Sequence, residues 1–220
     1  AFTHKAGLHA SGMAKDSSLY EHIDSSKVGN YTRTTVSELA GRASVITKAK
    51  EFNIGLSNED AKKLIEEVQN LEHQGFQFEA ADGSLFLLMN KIKGLSPDYF
   101  DFESFRVFSE RRNSENVVSE AVCKINVKDQ RYVTTGEGVG PVDALSKALV
   151  GGLRNDYPDI EVVKLIDYKV RIIDSTDGTE ATTRVLIEFT DGKRKWNTVG
   201  VHQNIINAVS YTHLRAHETL

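Results

Sequence analysis

Two stretches of this 220-residue chain carry residue types able to do chemistry. The first is His4-Lys5-Ala6-Gly7-Leu8-His9-Ala10-Ser11-Gly12. Imidazole titrates closest to neutral pH of the ordinary side chains and so suits proton transfer. The neighbouring glycines let the backbone approach a ligand or another chain closely. A histidine on an exposed loop fits the same spacing. His4 and His9 are five apart with no carboxylate at ligand spacing, a poor arrangement for zinc. The second stretch is Gly136-Glu137-Gly138-Val139-Gly140-Pro141, glycines just ahead of a helical pattern. Free N–H groups and the helix dipole favour an anion at such a place. Neither G-x-G-x-x-G in a βαβ context nor G-K-[ST] is present, which argues against a nucleotide, and a tight strand-to-helix turn accounts for the glycines equally well. His213 and His217, four apart, resemble a metal pair only until their segment is considered.

The elements that must position these residues follow from periodicity. Residues 1–35 are polar and Gly/Ser-rich and read as extended segments and short turns. Ser37 to Phe52 places Leu39, Val45, Ile46 and Ala49 at helical spacing. Ser57 with Asp60 forms a capping-box pattern ahead of the stripe Leu64, Ile65, Val68 and Leu71, and Gly75 closes that helix. A third helix near Gly83 to Lys93 carries Leu85, Leu88, Met89 and Ile92, with Gly94 and Pro97 as its stop. Residues 1–100 are thus expected to be helical and too thin for a large core of their own, with 36–100 as a small helical subdomain.

From Phe105 the period changes. FRVFSERR, VVSEAVCKINV and RYVTTGEG read as strands, and GPVDALSKALVGGLRN as an amphipathic helix with Pro141 in its first turn. VVKLIDYKVRIID, ATTRVLIEFTDG and KRKWNTVGVH repeat the three strands, with TDG turns at 176–178 and 190–192, and HQNIINA begins another helix. TTGEGVGPVDAL overlays WNTVGVHQNIINA, so the chain holds an internal repeat of two βββα units. The expected fold class is α+β.

A net charge of −4 supplies no basic face, which argues against a nucleic-acid partner. No apolar run approaches the roughly 20 residues needed to cross a bilayer, so no membrane role is expected. Cys123 is the single cysteine, which excludes an internal disulfide and a cysteine-based zinc site and points to the cytoplasm. The closing VSYTHLRAHETL breaks the pattern before it, and codons that would encode Val209 to Thr219 resemble a transposase-type sequencing adaptor read in frame. Residues 209–220 are therefore expected to be an adaptor-derived artefact, with authentic sequence ending near Ala208.

AFTHKAGLHASGMAKDSSLYEHID, the following VGN…VSELAGRA, and LEHQGFQFEAADGSL resemble the region after the catalytic barrel in the 2-isopropylmalate, homocitrate and citramalate synthase family. TGEGVGPVDAL, IDYKVRIID and TVGVHQNII resemble that family's C-terminal allosteric domain, two βββα repeats that pair across a dimer. The likeness runs in order through residues 1–208, and YEHID, LEHQGFQFE and DYKVRIID favour the citramalate-type branch. It implies a condensation of acetyl-CoA with a 2-oxo acid, pyruvate in that branch. The catalytic TIM barrel and its divalent metal would lie outside this chain, with no metal site within it. Residues 1–35 would be a post-barrel segment reaching a partner subunit's active site, 36–100 a helical linker subdomain, and 104–208 the allosteric dimerisation domain of a homodimer. The histidine of the family's G-[ILV]-H motif falls on His9, implying support of proton transfer at the acetyl methyl. A downstream tyrosine falls on Tyr20, with Tyr31 a rival, implying an orienting hydroxyl. Gly136, Gly138 and Gly140, with Gly200 of the second repeat, are implied to line a pocket for the end-product amino acid. That effector is isoleucine in the citramalate branch and leucine in the isopropylmalate alternative.

Overall fold

The computed structural model describes residues 3–4, 23, 25–29, 33–34, 36, 41–95, 99–112, 116–173 and 181–218, in two units, Ala1–Ser96 and Pro97–Leu220. In the first unit, strands β1 (Thr3–His4) and β2 (Arg33–Thr34) pair in parallel. Helix α1 (Arg42–Glu51) starts after Gly41, later than the Ser37 start that the apolar spacing suggests. Residues 37–40 lie outside the described set. Helix α2 (Asn58–His73) has the expected capping box: the Asp60 N–H donates to Ser57 Oγ at 3.0 Å, and the Ser57 N–H donates to Asp60 Oδ2 at 3.1 Å. These bonds hold the Asp60 carboxyl below its ordinary range. Gly75, at a φ of 99°, takes the left-handed turn that ends the helix. Helix α3 (Asp82–Ile92) follows a short 3₁₀ turn.

Val45, Leu64, Leu85 and Met89 are fully buried where these helices meet, so the unit has a core of its own despite its length. Each such side chain contributes about 1.5–3 kcal/mol by leaving water. The nearly buried Lys48 ammonium is held by Glu51 at 3.0 Å and Asp82 at 3.2 Å.

The second unit is the duplicated one. Strands β3 (Asp101–Arg112), β4 (Asn116–Val127) and β5 (Gln130–Gly138) form an antiparallel sheet in sequence order, followed by α4 (Pro141–Leu153). Strands β6 (Lys164–Ile172), β7 (Thr183–Thr190) and β8 (Lys195–His202) form a second such sheet, followed by α5 (Ile205–Glu218). Strand β3 begins at Asp101, four residues before Phe105. A bulge between Phe102 and Ser104 interrupts the alternation and hides the strand's start among acidic residues. The second repeat carries the same bulge between Leu165 and Asp167.

Alternation decides what each sheet buries. Ala121, Cys123, Ile125 and Val127 of β4 face Ala144, Leu145, Ala148 and Leu149 of α4. Val185, Ile187 and Phe189 of β7 face Ala208 and Val209 of α5. The turn between β7 and β8 is closed by Asp191, whose carboxylate accepts from the N–H groups of Lys193 (2.8 Å) and Arg194 (2.6 Å). The two outer strands differ: Phe102, Phe105 and Val107 of β3 pack partly against the first core, whereas every residue of β6 is exposed.

Candidate functional site

His9, Tyr20 and Tyr31 lie outside the described residues. Near them in sequence, the described residues form the short parallel pair, with His4 opposite Thr34, and the 3₁₀ turn Ser25–Val28. The four glycines are described. Gly136 sits on β5 opposite Ala121, with α4 directly above. A Cβ there would overlap the Ala144 carbonyl oxygen and lie 2.6 Å from the Ala148 nitrogen. One on Gly138 would lie 2.5 Å from the Ala144 nitrogen. Gly200 stands in the same relation to the Ala208 carbonyl of α5. Thr134 donates its hydroxyl to the Ala148 carbonyl at 2.7 Å, and Thr198 donates to the Thr212 carbonyl at 3.1 Å. All these pairs are offset by 64 residues (136 to 200, 134 to 198, 144 to 208), so the duplication holds atom by atom. Gly140 differs from the others: it precedes α4 with open space around it.

Both helix starts have a side chain bonded to nearby backbone N–H groups, although Gly140 itself gives α4 no side-chain cap. The Val139 N–H donates to Asp143 Oδ2 at 3.2 Å, and Lys147 holds the same oxygen at 2.9 Å. At α5, Asn204 Oδ1 accepts from the N–H groups of Ile206 (2.9 Å) and Asn207 (3.1 Å). One start therefore presents a carboxylate and the other a neutral amide.

Between the two starts lies a cleft of about 700 Å3. Its apolar walls come from Val142, Val163, Leu165, Ile205, Ile206 and Val209. Its polar groups are Asp143, Ser146, Lys164 and Tyr168, and Gly140 opens its rim. Gly136, Gly138 and Gly200 are not among its lining residues. They act beneath the helices, letting α4 and α5 approach their sheets closely. An apolar trough with one carboxylate and one ammonium at its edge is suited to a small zwitterion with an aliphatic tail. Sequence reading alone missed Val142, Lys164, Tyr168 and Ile206. The signal that would have paired Val142 with Ile206 is the 64-residue offset.

Other groups have structural roles. Asp156 accepts from Lys128 at 3.1 Å and from the Tyr132 hydroxyl at 2.9 Å, which lowers its pKa and raises those of both donors. This clamp ties the end of α4 to β5 beside a smaller cleft of about 340 Å3. Burial pushes the Cys123 thiol up to about 12, so it is no nucleophile at neutral pH. Among the described residues no group of three or more His, Cys, Asp or Glu could hold a metal ion. None of the described helices is long and apolar enough to cross a membrane.

The family model for the LeuA allosteric (dimerisation) domain matches residues 79–219. One for a homocitrate synthase post-HMGL domain-like region matches residues 1–75. The chain is 47% identical over 211 residues to an (R)-citramalate synthase of Aquifex aeolicus. It is 45% identical over 211 residues to one of Streptomyces coelicolor, and 41% over 211 residues to one of Geobacter sulfurreducens. Each alignment takes in 94% of this chain and 40% of the relative, so the chain spans well under half the length of the curated proteins it matches.

Proposed function

Since the chain belongs to the LeuA allosteric (dimerisation) domain family, we propose that it is the regulatory part of an (R)-citramalate synthase. The whole enzyme would condense acetyl-CoA with pyruvate to (R)-citramalate and CoA, on the route to isoleucine, in the cytoplasm. The observation that carries this reading is 47% identity to an (R)-citramalate synthase over nearly the full chain. Residues 1–35 then reach the active site of a neighbouring subunit, 36–100 link, and 104–208 sense the end product. His9 supports proton transfer at the acetyl methyl, and the Tyr20 hydroxyl orients it. The divalent metal and the acetyl-CoA site belong to the barrel.

Regulation fits the cleft between the repeats. Asp143 and Lys164 stand at its edge for the ammonium and carboxylate of an amino acid, and the apolar walls suit an aliphatic side chain such as that of isoleucine. Gly136, Gly138 and Gly200 shape the site from below, and Gly140 leaves its rim open. The open strand β6 suits a homodimer: Ile166, Tyr168, Val170 and Ile172 are all exposed, an apolar strip that a second copy would cover. Tyr168 borders both the strip and the cleft, so effector and partner would meet at one side chain.

Assaying CoA release by the full-length enzyme with pyruvate and with 2-oxoisovalerate tests the reaction. Preference for pyruvate is expected. Preference for 2-oxoisovalerate, with leucine as the inhibitor, would make the enzyme a 2-isopropylmalate synthase instead. The 220-residue chain alone is expected to bind the amino acid and dimerise without catalysing condensation.

A further inference from the structure

The cleft has a floor built in an unusual way. Val142, the second residue of α4, belongs to the first repeat but packs against the core of the second, and shares the cleft lining with Val209 of that core. Ile206, the second residue of α5, belongs to the second repeat but packs against the core of the first. The two positions are 64 apart (142 to 206), the offset that relates Gly136 to Gly200. Each repeat thus lays the same residue of its helix against the other's core. Both side chains remain only partly buried, and both line the cleft. Each has one side against the opposite core and another toward the ligand space.

We infer that Val142 and Ile206 are the specificity-determining residues of this cleft, reading the volume of an amino acid's aliphatic side chain where the two repeats lock together. This rests on the reading of the cleft as an amino-acid site. Interiors packed to crystal-like density do not deform smoothly, so a side chain seated on both exchanged residues is measured against both cores at once. The floor is two-fold in plan, but its third wall is not. Val163, Leu165 and Tyr168 come from the start of β6, and no residue of β3 lines the cleft. The duplicated domain therefore offers one site per chain, not two.

A change of one methylene against an apolar wall shifts binding by tenfold or more. Val142→Ala and Ile206→Ala each deepen the floor, so each should move preference from isoleucine and valine toward leucine and methionine. The test is calorimetric titration of the whole chain with these four amino acids. The parent is expected to bind one ligand per chain. Each alanine variant should change the isoleucine-to-leucine ratio of dissociation constants by about tenfold. Val133→Ala, on an exposed part of β5, should leave the ratio unchanged. Should an alanine variant not fold, Ile206→Val and Val142→Ile keep the packing, and they should move the ratio in opposite directions. A parent that binds with ratios unmoved within twofold by the folded variants overturns this inference alone. A stoichiometry of two does the same. A parent that binds none of the four removes the amino-acid reading and the inference with it.

Discussion

Gly136 and Gly151 lie on facing elements of the same repeat, and alanine at the two should act with opposite sign. At Gly136 the new methyl would overlap the Ala144 carbonyl oxygen and the Ala148 nitrogen, which are helix backbone and cannot rotate aside. Helix α4 must withdraw, loosening the packing of Ala144, Leu145, Ala148 and Leu149 and stretching the 2.7 Å bond from Thr134 to the Ala148 carbonyl. Overpacking of this kind costs about 1–3 kcal/mol, and the hydrogen bond contributes about 1 kcal/mol. The sum is roughly 3 kcal/mol, a large share of the 5–15 kcal/mol that holds a typical domain. For a domain of this size that lowers the melting temperature by roughly 10 °C. At Gly151, inside α4, the nearest atom to a new methyl is Thr134 Cβ at 4.0 Å. Alanine there gains about 0.5–1 kcal/mol from helix propensity and raises the melting temperature by a few degrees. Circular dichroism melts of the two variants and the parent decide it. A Gly136→Ala variant melting within about 2 °C of the parent would refute the claim that this glycine exists for helix–sheet approach.

Three further outcomes are expected. Backbone N–H bonds from Arg194 and Lys193 depress the Asp191 carboxyl to about 2. Its contribution to the β7–β8 turn is thus present above about pH 4 and lost as pH falls through about 2. NMR titration of that carboxyl should give a low midpoint, and Asp191→Asn should remove the acid-dependent part of the stability. Val170→Asp, on the exposed apolar strip of β6, should shift the chain from dimer to monomer in sedimentation. An unchanged dimer would place the interface elsewhere. His9→Ala in the full-length enzyme should lower turnover by about a hundredfold or more, the range expected of a lost proton-transfer aid, with isoleucine inhibition kept. Unchanged turnover would return His9 to the surface.

Local chemistry was legible where it was dense. Ser57 and Asp60 announced α2, and both cap bonds are present. The alternation of Ala121, Cys123, Ile125 and Val127 marked a half-buried strand. The duplication was visible from TTGEGVGPVDAL and its counterpart. What the sequence hid is non-local. The bulge at Phe102–Ser104 breaks the period-two signal, so β3 began later on paper than in space. Strand β6 shows the composition of a covered strand, and only the packing reveals that neither helix lies over it. Glycines ahead of a helix admitted a cradle or a tight strand-to-helix turn, and the structure shows instead a close approach of helix to sheet at Gly136, Gly138 and Gly200. The difference lies in Ala144 and Ala148, atoms that periodicity does not place. The cleft floor was the least legible part, because Val142 and Ile206 each pack in the repeat to which they do not belong.

Hydrogen exchange of the chain with and without saturating isoleucine asks the central question directly, because it reports both binding and place. The account predicts slowed amide exchange at residues 139–146, 163–168 and 205–209, around the cleft. No slowing, or slowing confined to residues outside the paired repeats, would contradict it.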